Sequence, residues 1–125
     1  MTKHGGISIS EERPLTAAER ELTLWMLRRG GPEAQAFVGQ VDDATVFSRC
    51  PCGCASIDFA IRGQRPPATG LRVLGDYVFG GEHDLAGAFV FECGGVLAGI
   101  EVYGLARENP RELPRPSGLR PLPVG

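Results

Sequence analysis

Three cysteines stand within five residues, at Cys50, Cys52 and Cys54, and a fourth stands apart at Cys93. Cysteine thiolates are preferred ligands of structural zinc, which binds four of them in a tetrahedron at about 2.3 Å. The four cysteines are therefore one candidate metal set, in which His83 could replace one sulfur.

The spacing of the three neighbouring cysteines favours a plainer interpretation. Structural zinc sites usually pair cysteines separated by two to four residues, whereas one residue separates successive cysteines here, so the thiolates converge only with strain. The first expectation is a tight turn between two strands, in which some cysteines are small buried apolar residues. We therefore predict no cofactor, with zinc as the alternative.

A redox thiol is a further alternative for the same segment. It is less favoured because the chain has no Cys-x-x-Cys, the spacing that usually supplies a low thiol pKa together with a resolving partner. A disulfide between cysteines separated by one residue also closes a very small, strained ring.

His83 stands between Glu82 and Asp84, and a carboxylate beside an imidazole can act in general acid–base catalysis. Two glycines precede this group, which makes a solvated turn the plainer interpretation. The chain also lacks the Gly-x-Ser-x-Gly elbow of a serine nucleophile. No residue is assigned a catalytic role, and a small thiol or His-dependent enzyme stays the last alternative.

Composition predicts one domain that binds neither nucleic acid nor membrane. The chain has 125 residues and a net charge of −2, which gives no electrostatic reason to bind a polyanion. Residues 71–104 carry five acidic residues against one arginine, whereas residues 105–125 carry four arginines against two glutamates. An acidic sheet surface would suit a basic protein partner, and its candidate residues are Glu92, Glu101 and Tyr103.

The chain shows no apolar segment typical of a signal peptide, and no run near the ~20 apolar residues of a membrane helix. Four cysteines are too few for a disulfide scaffold of this length. We therefore expect a cytoplasmic protein with reduced or metal-bound thiols.

The pattern of elements predicts an α+β fold. Thr16 and Glu19 form a capping box before a helix over 17–29, and Gly30-Gly31-Pro32 separates it from a second helix over 32–40. Strands are predicted at 44–50, 55–62, 71–79, 86–93 and 96–104, the last two joined by a hairpin at Gly94-Gly95. We expect both helices to pack on one face of a five-stranded, mainly antiparallel meander sheet.

The ends of the chain are predicted to lie outside this domain. Residues 1–14 are polar and expected to be flexible, and residues 15–108 form the domain. Residues 109–125 are rich in proline and predict an extended tail without helix or sheet. The exposed edges of a small sheet can pair with a second copy of the chain, so a homodimer is a further alternative.

Residues 91–102 read Phe-Glu-Cys-Gly-Gly-Val-Leu-Ala-Gly-Ile-Glu-Val. This segment resembles a hairpin of small bacterial α+β domains of unknown function, in which Asp-Gly or Asn-Gly precedes Leu-x-Gly-Ile-Glu-Val. Cys93-Gly94 departs from that pattern. With the capped helix and the cysteine turn, the layout is similar to candidate immunity proteins found beside bacterial toxins. The resemblance implies a bacterial, protein-neutralising domain and assigns no ligand or catalytic residue.

Three functional hypotheses follow from the sequence. The leading one is a non-enzymatic protein-binding module for an unidentified partner. The alternative is a zinc-stabilised structural or regulatory domain built on the cysteine cluster. The third is the small thiol or His-dependent enzyme.

Overall fold

The computed structural model describes residues 9–122, which form an α+β domain around one antiparallel sheet. The predicted fold class is confirmed. The helices are α1 (Ala17–Arg29) and α2 (Pro32–Gln35), with 3-10 segments at Val38–Asp43 and Pro116–Gly118. The strands are β1 (Ile9–Pro14), β2 (Ala44–Arg49), β3 (Ile57–Ile61), β4 (Leu71–Phe79), β5 (Ala86–Cys93), β6 (Val96–Gly104) and β7 (Arg120–Pro121).

The described strands run in the order β1-β2-β3-β6-β5-β4-β7, and all neighbours are antiparallel. The predicted simple meander is wrong, because β3 pairs with β6 and not with β4. Ile57 lies opposite Ile100, so both side chains enter the same core. The predicted hairpin between β5 and β6 is present, and both of its glycines have positive φ, 58° at Gly94 and 85° at Gly95.

The sheet has two edge strands that the sequence prediction of five strands missed. β1 lies inside the segment predicted to be flexible, where Ile9 is opposite Arg49. β7 lies inside the tail predicted to lack sheet, where Arg120 is opposite Val78. Edge strands are held by backbone hydrogen bonds along one side, so they need no alternation of apolar side chains.

The predicted capping box begins α1. Thr16 Oγ1 accepts a hydrogen bond from the backbone N–H of Glu19 at 3.1 Å, and Glu19 Oε1 accepts one from the backbone N–H of Thr16 at 2.8 Å. Arg13 adds two hydrogen bonds of 2.8 Å to the same carboxylate, which ties the end of β1 to the first turn of α1.

The second predicted helix, 32–40, is wrong beyond its first turn. After α2 the chain tightens into the 3-10 segment Val38–Asp43. Gln40 explains the change, because its side chain bonds the hairpin between β5 and β6. Gln40 Oε1 accepts from the Leu97 N–H at 2.8 Å, and Gln40 Nε2 donates to the Gly95 carbonyl at 3.0 Å.

The main core lies between α1 and the sheet. Leu22 and Met26 of α1 and Val90 and Ile100 of the sheet are fully buried in one cluster. A smaller cluster, Phe91, Cys93 and Ala98, lies apart from it. No helix in the range 9–122 is long and apolar enough to cross a membrane.

Candidate thiol site

Residues 50–56 connect β2 to β3 through a tight turn, as predicted. The Gly53 N–H donates to the Cys50 carbonyl at 3.3 Å, and Pro51 occupies the second position, which proline favours in such turns. Gly53 has φ of +86°, in the left-handed region that glycine adopts without a steric penalty. The local sequence therefore directs the chain into the bend.

The bend brings the three neighbouring thiols together. The Sγ atoms of Cys50, Cys52 and Cys54 all lie within 4.8 Å of one another. Cys50 and Cys54 are buried, whereas Cys52 is exposed. The spacing of one residue between successive cysteines argued against convergence of their sulfurs. The bend of the turn brings the sulfurs together despite that spacing.

Backbone N–H groups point at two of the sulfurs. The Cys52 N–H donates to Cys50 Sγ at 3.3 Å, and the Cys54 N–H donates to Cys52 Sγ at 3.3 Å. Such donors favour the ionised form of a thiol, and they also orient the sulfur.

The thiols of Cys50 and Cys52 differ in acidity. Burial, reinforced by the neighbouring Cys52 and Cys54, raises the pKa of Cys50 to about 12. Partial burial also acts to raise the pKa of Cys52, but hydrogen bonds from the other two thiols and from the Cys54 N–H outweigh it and lower that pKa. The exposed sulfur of Cys52 is therefore the first of the two to become a thiolate.

Two contacts hold the end of the turn in place. The buried hydroxyl of Ser56 donates to the Val102 carbonyl at 3.2 Å and accepts from the Val102 N–H at 2.8 Å. The Ala55 N–H donates to the Pro110 carbonyl at 2.9 Å. The turn is thus fixed to both β6 and the C-terminal segment.

A groove with a volume of about 580 Å³ runs beside Cys54, between the start of α1, the cysteine turn and residues 111–116. Arg111 lies at this junction, because a Cβ atom on Gly53 would be 2.7 Å from Arg111 Nη1. Sequence analysis did not assign Arg111. The positive balance of residues 105–125 was the signal that pointed to it. The charged residues that line the groove are Arg13, Arg49, Arg111 and Arg115 together with Glu19, Glu21 and Glu112.

Cys93 and His83 do not belong to the group of three thiols among the described residues. Cys93 ends β5 opposite Val96, at the Gly94-Gly95 hairpin, whereas the cysteine turn meets β6 at Val102. Cys93 is buried, and that burial raises its pKa. His83 is exposed in the connection between β4 and β5. Of the predicted metal set, the structure brings together Cys50, Cys52 and Cys54.

The residues predicted to bind a partner lie in different surroundings. Glu92 is 5% exposed, and its carboxylate accepts from Arg72 Nε at 2.7 Å and from the Gly95 N–H at 2.8 Å. Glu101 is 7% exposed and sits opposite Phe89 in β5. Tyr103 is half-buried, and its hydroxyl donates to Asp76 Oδ1 at 3.2 Å.

These placements do not form one exposed acidic patch. Arg72 also donates to Glu33 of α2 at 2.8 Å, which places Glu92 on the side of the sheet that carries the helices. Glu101 follows Ile100, a residue of the main core, and therefore points to the opposite side. Partner binding through these residues stays a prediction.

No protein-family model, no curated protein and no solved structure matches this chain.

Proposed function

We propose that this chain is a metal-binding domain in which Cys50, Cys52 and Cys54 together bind one thiophilic divalent ion, zinc in the first instance. One observation carries the proposal, namely that three thiols of one short turn lie within 4.8 Å of one another. Zinc prefers thiolate ligands, and this turn supplies three of them.

The distances are compatible with an ion after a small adjustment. Two sulfurs bound to a tetrahedral zinc lie about 3.8 Å apart, given Zn–S bonds of about 2.3 Å. The Sγ atoms of Cys50 and Cys52 are 2.6 Å apart, so they would have to separate by about 1 Å. Cys52 is exposed, and rotation of its side chain supplies that movement without disturbing the core.

The ion would organise the turn and not the whole domain. Leu22, Val90 and Ile100 are fully buried in a core cluster that does not include the three cysteines. The expected role is local, to hold the turn and the segment after Pro110 in one arrangement. A reducing cytoplasm would keep the three thiols available for this role.

Protein binding is a second proposed function, and the groove beside Cys54 favours it. Three thiolates leave the fourth position of a tetrahedral ion for water or for an incoming ligand. Arg111 and Arg115, both exposed, would attract an anionic group to that position. We propose an acidic segment of a partner protein as this ligand, which would unite the binding and zinc hypotheses.

Cobalt substitution tests the metal proposal. Co²⁺ occupies zinc sites, and the intensity of its thiolate charge-transfer absorbance reports how many sulfurs bind. We expect an absorbance intensity typical of three thiolates. This intensity should fall in each of the variants Cys50→Ser, Cys52→Ser and Cys54→Ser, and it should stay unchanged in Cys93→Ser. A missing band, or an equal loss in Cys93→Ser, would overturn the proposal.

A further inference from the structure

We propose that Cys52 is a peroxide-reactive thiol and that Cys50 resolves its oxidised form into a reversible Cys50–Cys52 disulfide. This inference concerns the same turn as the metal site but does not require a bound ion. It rests on exposure and contact among the thiols.

Access distinguishes Cys52 from the other cysteines. Cys52 is exposed, whereas Cys50, Cys54 and Cys93 are 2%, 8% and 7% exposed. A peroxide in solution therefore reaches the sulfur of Cys52 first. The Cys54 N–H, at 3.3 Å from that sulfur, orients it within the turn.

Proximity selects the resolving thiol. Cys50 Sγ lies 2.6 Å from Cys52 Sγ, and both cysteines belong to the turn closed by the Gly53 N–H and the Cys50 carbonyl. The Cys50 thiol would thus lie within reach of an oxidised Cys52 without any rearrangement of β2 or β3.

The chemistry proceeds in two steps. The Cys52 thiolate attacks one oxygen of hydrogen peroxide, the O–O bond breaks, and a sulfenic acid and hydroxide form. The Cys50 sulfur then attacks the sulfenic sulfur, so that an S–S bond forms and the S–O bond breaks. The displaced hydroxide takes the proton of Cys50 and leaves as water. The hydroxide from the first step takes up the proton that the Cys52 thiol released on ionising. Two thiols are thus oxidised by two electrons, and one peroxide is reduced to two waters.

The disulfide would be easily reduced again. A bridge between cysteines separated by one residue closes a very small ring, and strained or exposed disulfides are the labile ones. The small ring, which argued against a structural disulfide, therefore suits a reversible one.

If the turn binds zinc as proposed above, the same oxidation would also release the ion. Forming the disulfide removes two of the three thiolates and leaves Cys54 as the last sulfur. One thiolate is too few to hold zinc, so peroxide would convert the turn from a metal-bound to a metal-free state. This extension rests on the metal site, whereas the disulfide itself does not.

Intact-mass analysis of chelator-stripped full chain treated with hydrogen peroxide tests the inference. We expect the wild type to lose about 2 Da, the mass of two hydrogens, and to regain it with a thiol reductant. Cys52→Ser should oxidise about tenfold more slowly, because its remaining thiols are buried. Cys50→Ser should instead accumulate a sulfenic acid at position 52 that dimedone traps.

Cys93→Ser, whose thiol lies outside the group of three, is the matched control and should form the disulfide like the wild type, with circular dichroism showing that every variant is folded. The inference is overturned if Cys52→Ser oxidises at the wild-type rate, or if Cys50→Ser forms an intramolecular disulfide as fast as the wild type. The peroxide experiment uses metal-free protein, so its outcome does not depend on metal binding. A failure of cobalt binding would therefore contradict the metal proposal alone, and a failure of disulfide formation would contradict the oxidation proposal alone.

Discussion

Cys50 Sγ lies 2.6 Å from Cys52 Sγ, and one of the two residues is buried while the other faces solvent. This pair combines the properties that thiol chemistry needs, because the buried sulfur is held in place and the exposed one is accessible. Pro51 and Gly53 produce the pairing through the shape of the turn. The oxidation proposal depends on this contact, and the metal proposal depends on the wider cluster of three thiols to which the pair belongs.

Alkylation should identify Cys52 as the reactive thiol. The thiolate is the nucleophile, and the pKa of Cys52 is lowered, so iodoacetamide should modify Cys52 before the other cysteines. The rate should rise with pH through that lowered pKa and level off at a lower pH than it does for an unperturbed thiol. Peptide mass spectrometry after brief labelling of metal-free protein measures this order. Earlier labelling of Cys93 would contradict the assignment.

Removing the metal should weaken the domain without unfolding it. The main core cluster does not include the three cysteines, so chelation should lower Tm by less than about 10 °C and leave the far-UV circular dichroism unchanged. Amide hydrogen exchange should increase at Ala55, whose N–H bonds Pro110, and much less in β5. Cooperative unfolding on addition of a chelator would show that the ion holds the whole fold.

Local sequence predicted the elements whose causes are local. The Thr16–Glu19 capping box formed as expected, because its partners are three residues apart. Strands β4, β5 and β6 have the predicted bounds, since each has an apolar run limited by glycines or a loop. The turn at Gly53 also has a local cause, because Pro51 and Gly53 lie within it.

Long-range pairing could not be predicted in this way. The contact of Ile57 with β6 depends on where β3 is placed in the sheet, and nothing within β3 specifies its neighbour. Gln40 reaches Gly95 and Leu97, 55 and 57 residues away, and so ends a helix that its own neighbours favour. Convergence of the three sulfurs was expected only with strain, because the spacing alone does not specify the left-handed conformation of Gly53.

Glu19→Gln tests the junction between β1 and α1. The change weakens two hydrogen bonds from Arg13 and one from the Thr16 N–H, and should lower the free energy of unfolding by about 1–2 kcal/mol at pH 7. Urea denaturation measures the loss. Glu21→Gln, an exposed position of the same helix, is the control and should change stability by less than about 0.5 kcal/mol.

The same variant should remove a pH dependence of stability. Burial acts to raise the pKa of Glu19, but the hydrogen bonds from Arg13 and Thr16 outweigh it and lower that pKa. A depressed pKa stabilises the fold above the unfolded value of about 4.3, and the stabilisation is lost as pH falls through the folded value. The difference between wild type and Glu19→Gln should therefore shrink at low pH. A constant difference would contradict the role of the charge.

Tyr103→Phe tests the contact between Tyr103 and Asp76. Removing the hydroxyl deprives the Asp76 carboxylate, whose pKa is raised by burial, of a hydrogen bond of 3.2 Å. The free energy of unfolding should therefore fall by about 1 kcal/mol at pH 7. Thermal and urea unfolding measure the loss. Equal stability of the two proteins would mean that water replaces the hydroxyl at no cost.

Absorbance titration extends this test to high pH. Burial, then the charge of Asp76 and its hydrogen bond, raise the pKa of Tyr103 to about 12. Stability from a raised pKa is present below the unfolded value of about 10 and is lost as pH rises toward 12. Asp76→Asn should bring the ionisation of Tyr103 closer to pH 10, while that of Tyr77, which donates to the Met26 carbonyl, stays raised.

Native mass spectrometry of protein purified without chelator or added metal shows directly whether the three thiols hold an ion. We predict one zinc per chain in the wild type and in Cys93→Ser, and loss of that zinc in Cys52→Ser and Cys54→Ser. A metal-free wild type in a fully reduced state, or a Cys93→Ser variant that loses its zinc, would contradict the metal proposal.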